Sequence, residues 1–306
     1  VVAEVATFEH PALFYRDQDE YLAGTVPFVR SALRAGEPVA VAVPSENLAA
    51  ITAALGEEAS AVRLIDMTRA GRNPGRIIPG VLRAFADAHD GPVRIIGEPI
   101  WPGRSVVEYP ACAQHEALIN HAFAGRAATI LCPYDAKALD GEILADAAAT
   151  HPVLVDATGR RPSPAFAPDA VVATYNEPLA PPESSAVFPF TVTELQAARH
   201  FLTDRAGRLG LTGDRLDDLA LAVAELCANS VVHGQGQGVL RVWSADGYVV
   251  SEVADRGFLA DPLAGRLPAA PDQLGGRGLL MVNELVDLVR VHAHPGGTII
   301  RVYLRC

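Results

Sequence analysis

Cysteine is scarce and scattered: four occur in 306 residues. Cys112, Cys132, Cys227 and Cys306 contain no Cys-x-x-Cys pair, which argues against a disulfide framework or a zinc cluster and leaves buried or idle thiols as the expectation. No basic run occurs either, and the formal net charge is -11. A surface that holds a phosphodiester backbone needs a basic face, so direct nucleic-acid binding is not expected. The apolar stretches are short and interrupted, too short for a transmembrane helix, so no membrane partner is expected. The start, Val1-Val2-Ala3-Glu4, lacks the basic flank and apolar core of a signal peptide, and the expected location is cytoplasmic. A Gly-x-x-x-x-Gly-Lys-Ser/Thr phosphate loop is also missing.

The chain has ample material for cores. Half of its residues are hydrophobic and 20% are charged, and its length favours two domains. The stretch from 158 to 187 carries Pro162, Pro164, Pro168, Pro178, Pro181 and Pro182 without a sustained period. It reads as an extended Pro-rich linker between a first domain at 1–157 and a second at 188–306. In the first, short apolar runs at 38–44, 62–67, 93–98 and 128–133 suit buried strands. Helical spacing fills 45–55, 76–89, 111–124 and 138–149. Alternation of this kind predicts an α/β fold, a mainly parallel sheet with helices on both faces. A helix at about 18–35 is expected to precede the sheet, with Gly36 as its stop and Ser45 as the N-cap of the next helix.

The second domain opens with an apolar strand at Phe188-Pro189-Phe190, a helix over 193–209 with a capping signature at Thr193-Glu194-Leu195-Gln196, and a helix over 214–233 stopped by Gly234. Strand alternation follows at 239–244 and 248–254 around Asp246-Gly247, a hairpin dipeptide, and again at 290–293 and 298–304. Helices layered on one face of an antiparallel or mixed sheet form an α+β sandwich.

The most informative residues lie on the 214–233 helix. Glu225, Asn229 and His233 are spaced i, i+4, i+8 and share one face, among apolar Leu219, Leu221, Val223, Leu226, Val231 and Val232. A carboxylate and an amide on adjacent turns can hold a hydrated divalent cation. Downstream, Asp255-Arg256-Gly257 and Gly275-Gly276-Arg277-Gly278 supply glycines that let backbone amides approach phosphates closely. His233 reads as a helix-end residue whose cation the helix dipole favours. The segment 258–274, rich in Pro, Ala and Gly, reads as a mobile lid.

These motifs, in this order over roughly 188–304, resemble the N, G1 and G2 boxes of the GHKL ATPase superfamily, and most closely the small anti-sigma factor serine kinases. The resemblance implies ATP and Mg2+ as cofactors. It implies Glu225 as general base, Asn229 as Mg2+ ligand and Asp255 as reader of the adenine amino group. It implies that Gly257 leaves room for the adenine base, and places Gly275, Gly276, Arg277 and Gly278 in the lid and at the start of the helix that caps the phosphates. Phe258 and Leu259 follow Gly257 where the fuller family pattern has a second glycine.

The first domain resembles the MEDS sensory domain, related to a RecA-like core that has lost its phosphate loop. The likeness covers most of residues 8–156. It rests on His10 with Tyr15, Gly97-Glu98-Pro99 with Trp101, Glu108, His115-Glu116 with Asn120, Leu131-Cys132-Pro133-Tyr134-Asp135, and His151-Pro152. Such sheets bind ligands in the crevice at their strand ends, and Glu98, Trp101, Tyr134 and Asp135 are its candidate lining, with turn and packing roles as the alternative. His115 with Cys112 and Cys132 reads as structural and not as a metal set.

Together the two resemblances imply an anti-sigma factor that holds a sigma factor, phosphorylates a serine of an anti-anti-sigma (STAS) antagonist, and carries a sensory domain for a small molecule; a homodimer is compatible. Two alternatives stay open: a regulator that binds ATP without catalysis, and a sensor histidine kinase. Against the latter, no paired-helix phosphoacceptor module precedes the ATPase segment.

Overall fold

The strand β1 (Pro11–Tyr15) lies inside a seven-stranded sheet in the computed structural model, which describes residues 7–268 and 276–306. The chain divides into two units, Val1–Tyr175 and Asn176–Cys306. In the first, β1 leads to α1 (Gln18–Ala35), β2 (Val39–Val43), α2 (Ser45–Leu55), β3 (Arg63–Asp66) and a short α3 (Met67–Ala70). A π-helical turn at Ile78–Arg83 runs into α4 (Ala84–Ala86). Then come β4 (Val93–Gly97), α5 (Tyr109–Ala122), β5 (Ala128–Asp135), α6 (Gly141–Thr150), β6 (Val153–Asp156), β7 (Gly159–Pro162) and α7 (Pro168–Thr174). The sheet order is β3-β2-β4-β5-β1-β6-β7. Every pairing is parallel except that of β7 with β6.

Strand alternation decides which helix each side chain meets. Leu13, Tyr15 and Leu131 face α1 and α2, in a core with Tyr21, Val29, Val41 and Ile51. Ala12 pairs with Cys132 and Phe14 with Tyr134, so these residues, with His10 two positions earlier, face the opposite side, where α5 lies. Asp17 caps α1 by accepting from Glu20 N, and Gly36 ends it at φ 70°, a left-handed conformation that glycine takes without strain.

Three expectations are corrected here. The α1 helix does not precede the sheet, because β1 comes first and inserts between β5 and β6; its five residues begin with proline and are too few to show a period. The segment expected to be an extended linker carries β7 and α7, and Val171 of α7 and Tyr175 just after it pack against Ala113 and Ala117 of α5. Tyr109 donates to Asp146 at 2.6 Å, and Tyr175 donates to the same carboxylate. Ser45 is not a cap either: Pro44 holds that position, and the Ser45 hydroxyl donates to Asp66 at 2.9 Å.

The second unit contains β8 (Ala186–Thr191), α8 (Leu195–Arg208), α9 (Gly213–His233), β9 (Gln237–Ala245), β10 (Tyr248–Asp255), α10 (Gly278–Leu285), β11 (Leu288–His294) and β12 (Gly297–Arg305). Its five strands form an antiparallel sheet in the order β11-β12-β10-β9-β8. Leu202, Leu219, Val223 and Leu226 of the helices pack on Leu240, Val249, Val253 and Val302 of the sheet. Asp246 and Gly247 both take positive φ, 50° and 79°, as a two-residue hairpin requires. The capping box is Thr191 with Glu194, two residues earlier than expected, because a 3-10 turn at Val192–Glu194 precedes α8. On the sheet face away from these helices, the buried Glu252 is held by Arg301 at 2.6 Å and Arg241 at 3.2 Å. Among the described residues, no helix is long and apolar enough to cross a membrane.

Candidate functional site

Helix α9 is amphipathic in a way that leaves one polar stripe beside the core. Leu219, Ala222, Val223, Leu226 and Cys227 are buried. Glu225 and Asn229 are half-buried and His233 is exposed, and all three line a cavity of about 620 Å³. The opposite walls come from the end of β10, the segment after it, the start of α10, and Thr298 and Ile300 of β12. Gly278, the first residue of α10, lies hard against Glu225: a Cβ there would sit 2.0 Å from Glu225 Oε1. A larger residue there would have to displace the Glu225 side chain. Gly276 also lines the cavity, and Arg277 is the exposed N-cap residue of α10. Gly275 lies outside the described residues, as does the last part of the expected lid.

Asp255 is locked in place at the end of β10. Its Oδ1 accepts from Gly257 N at 2.8 Å and its Oδ2 from the Ser230 hydroxyl at 2.6 Å. Each oxygen keeps a further lone pair for a ligand. Gly257 is pressed against the end of α9, where a Cβ would lie 2.3 Å from the His233 carbonyl oxygen. Thr298 braces the same loop, donating to the Gly257 carbonyl at 2.8 Å and accepting from Leu259 N at 3.1 Å. Leu259, where the family pattern has its second glycine, lines the cavity, with the exposed Phe258 beside it.

The four sensory candidates of the first unit do not form one group. Glu98, just past β4, is buried, and both its oxygens accept from Asn47 Nδ2 at 2.9 Å. Tyr21 donates to it at 3.2 Å and Tyr15 at 3.5 Å. Burial pushes the Glu98 carboxyl up to about 8, against the pull of these donors. Tyr134 is also buried but lies on the other face of the sheet, edge-on to His151. Asp135 accepts from the backbone of Lys137 and Ala138 and so caps its own turn. Trp101 stacks under the Arg104 guanidinium at 4.0 Å. His115 is buried on α5, yet it is the next residue, Glu116, that meets His10 and His151.

Residues 188–304 match the model of the histidine kinase-like ATPase domain. The serine-protein kinase RsbW of Bacillus subtilis is 37% identical over 112 residues, 32% of this chain and 70% of that protein. The RsbW of Bacillus velezensis is 35% identical over 112 residues with the same shares, and that of Halalkalibacterium halodurans 33% over 103 residues, 30% of this chain and 64% of that protein. The chain belongs to the RsbW-like histidine kinase-like ATPases. Residues 9–152 match the MEDS model, the methanogen/methylotroph, DcmR sensory domain. A solved structure of the RsbU and RsbW domains of a Mycobacterium tuberculosis protein is 24% identical, covering 39% of this chain and 32% of that chain, with a TM-score of 0.30.

A histidine kinase-like ATPase domain implies ATP binding, and the cavity suits it in size and shape. Three residues that hold the ATPase cavity in shape were not legible as site residues. Ser230 and Thr298 fix Asp255 and its loop, and Gly234 lets the end of α9 approach Asp255, since a Cβ there would lie 2.4 Å from Asp255 Cγ. Ser230 adjoins Asn229 and Thr298 follows the Gly296-Gly297 turn, which were the signals available, whereas Gly234 was readable only as a helix stop.

Proposed function

We propose that this chain is an ATP-dependent anti-sigma regulatory factor whose ATPase domain phosphorylates a serine of an anti-anti-sigma antagonist and whose MEDS domain senses a small ligand. One observation carries the reading: the Glu225 carboxylate stands at the start of α10, on the same cavity wall as Asn229 and in one cavity with the fixed Asp255. The name of the RsbW relatives, serine-protein kinase, agrees with it.

ATP supplies the transferable phosphoryl group, and Mg2+ neutralises charge on its phosphates. Asn229 is the residue that would hold the ion through its side-chain oxygen. Asp255, oriented by Ser230 and Gly257, accepts a hydrogen bond from the adenine amino group. Gly276, Arg277 and Gly278 set backbone amides and a positive charge at the N-terminus of α10, where anions are favoured. The undescribed Gly275 belongs to the same proposed set. Glu225 accepts the proton of the attacking serine hydroxyl at a carboxylate oxygen.

The test is incubation of the full chain with labelled ATP, Mg2+ and a candidate STAS antagonist. Acid-stable label on a serine of the antagonist is the expected result. Acid-labile label on the chain itself would replace this reading with histidine phosphorylation, and ATP binding with no transfer to any antagonist would leave a non-catalytic regulator.

A further inference from the structure

Four side chains from distant parts of the MEDS domain meet in its core. His10 precedes β1, Glu116 is on α5, Cys132 is in β5 and His151 ends α6 just ahead of β6; all four are buried, with their donor atoms within 4.8 Å of one another. Glu116 Oε2 lies 3.3 Å from His10 Nε2 and 3.1 Å from His151 Nε2. Cys132 Sγ lies 3.4 Å from the same His10 nitrogen.

The hydrogen bonds behind the two imidazoles determine what faces the cluster. Asn120 uses its amide nitrogen on the carbonyls of Thr150 at 2.8 Å and Ala117 at 3.1 Å. Its oxygen therefore faces His10 Nδ1, at 3.3 Å, as an acceptor. His151 Nδ1 lies 2.8 Å from the Ala147 carbonyl oxygen. Each ring thus directs its Nδ1–H outward, and a neutral imidazole has no second N–H. Two Nε2 lone pairs are left pointing at the Glu116 carboxylate. Neither Glu116 oxygen nor His151 Nε2 has a hydrogen-bond partner, although all are buried. Electron-rich atoms turned toward each other in a dry core are unfavourable unless a cation joins them.

We propose that His10, Glu116, Cys132 and His151 form a buried tetrahedral site for a first-row divalent transition metal, zinc foremost. Outward Nδ1–H groups anchored on oxygen are the arrangement that presents Nε2 to a metal. Bonds of roughly 2.0–2.3 Å make a tetrahedron with edges of about 3.3–3.7 Å, close to the 3.1–3.4 Å separations here. Binding releases the Cys132 thiol proton to water as the metal–sulfur bond forms. One thiolate and one carboxylate then cancel the 2+ charge, so the buried site is neutral. Four protein ligands close the coordination shell, which makes this a site that holds structure and not one that turns over a substrate. It ties β1, α5, β5 and β6 together across more than a hundred residues of chain.

The full chain, unfolded and refolded with zinc and dialysed against metal-free buffer, is expected to retain about one zinc per chain by mass spectrometry, and Cys132→Ser or His151→Ala less than about a tenth of that. Cys227→Ser, in the other unit, keeps the full amount. Cobalt in place of zinc is expected to show the visible absorption of a tetrahedral site and a thiolate-to-cobalt charge-transfer band. Should the weakened variants fail to fold, Cys132→His decides, since it exchanges one ligand for another: it keeps the metal and loses only the charge-transfer band. A refolded parental chain that retains neither zinc nor cobalt overturns the site, as does a Cys132→Ser chain that keeps the metal and the charge-transfer band.

Discussion

In the MEDS domain the distinctive polar side chains, His10, Glu98, Glu116 and His151, are at most 1% exposed, whereas in the ATPase domain Glu225, Asn229 and Asp255 stand half-buried along a cavity wall. Burial of that degree changes chemistry. It pushes Glu98 up to about 8, and burial with the neighbouring His151 pushes the His10 imidazole down to about 4. The lesson is that the two units use polar residues differently. Sealed groups specify and stabilise one arrangement, while half-exposed groups along a cavity are open to a ligand.

The sharpest way to break this contrast is Glu225→Gln, which keeps the shape of the side chain and removes the proposed base. Phosphate transfer to the antagonist is expected to fall by about two to four orders of magnitude with ATP affinity little changed. Transfer at the parental rate would show that Glu225 is not the base. Next in size, Asn229→Ala should weaken Mg2+-dependent ATP binding by about 10–100-fold, the value of a hydrogen bond or ligand contact to a charged group. Helix content should stay intact, because alanine is the better helix former. Calorimetry with and without Mg2+ checks this, and equal Mg2+ dependence in both proteins would remove Asn229 from the ion's shell.

A smaller effect is expected in the sealed unit, and it depends on pH. The folded-state value of Glu98 is raised, so the native state binds the extra proton and its stabilising effect is complete below the ordinary carboxylate range, near 4.5. That stability is lost as pH rises through about 8 and is constant above it. Glu98→Gln keeps a neutral side chain throughout, so thermal melts should show the variant gaining on the parent between these limits. A parent and variant whose melting temperatures run parallel across this range would contradict the buried, proton-binding assignment. The smallest effect belongs to removal of residues 1–175. ATP affinity of the remaining unit is expected to stay within about threefold of the full chain, while antagonist phosphorylation changes through lost coupling. Identical phosphorylation in both forms, with and without cell extract, would detach the MEDS domain from regulation.

Much of this protein follows from short-range pattern. The i, i+4, i+8 spacing put Glu225, Asn229 and His233 on one helix face, and that is where α9 places them at the cavity. Apolar runs set between helical segments located β2 to β5, and helical periods located the main helices of the first unit, to within a few residues, because both are local signals. Where pairing is decided at long range, the pattern was silent. The five residues of β1 and the four of β6 show no period of their own; their place in the sheet follows from strands more than a hundred residues away. Tyr134 and Glu98, grouped as neighbours at strand ends, are parted because alternation along each strand sends them to opposite faces of the sheet. His115 attracted attention through its neighbours in sequence, while Glu116 faces the core with His10, Cys132 and His151. By itself the sequence determined the helix face and the order of the ATPase motifs, since local geometry suffices for both. Only the tertiary structure decided which buried donors converge, because that depends on parallel strand order and on which side of each strand a residue falls.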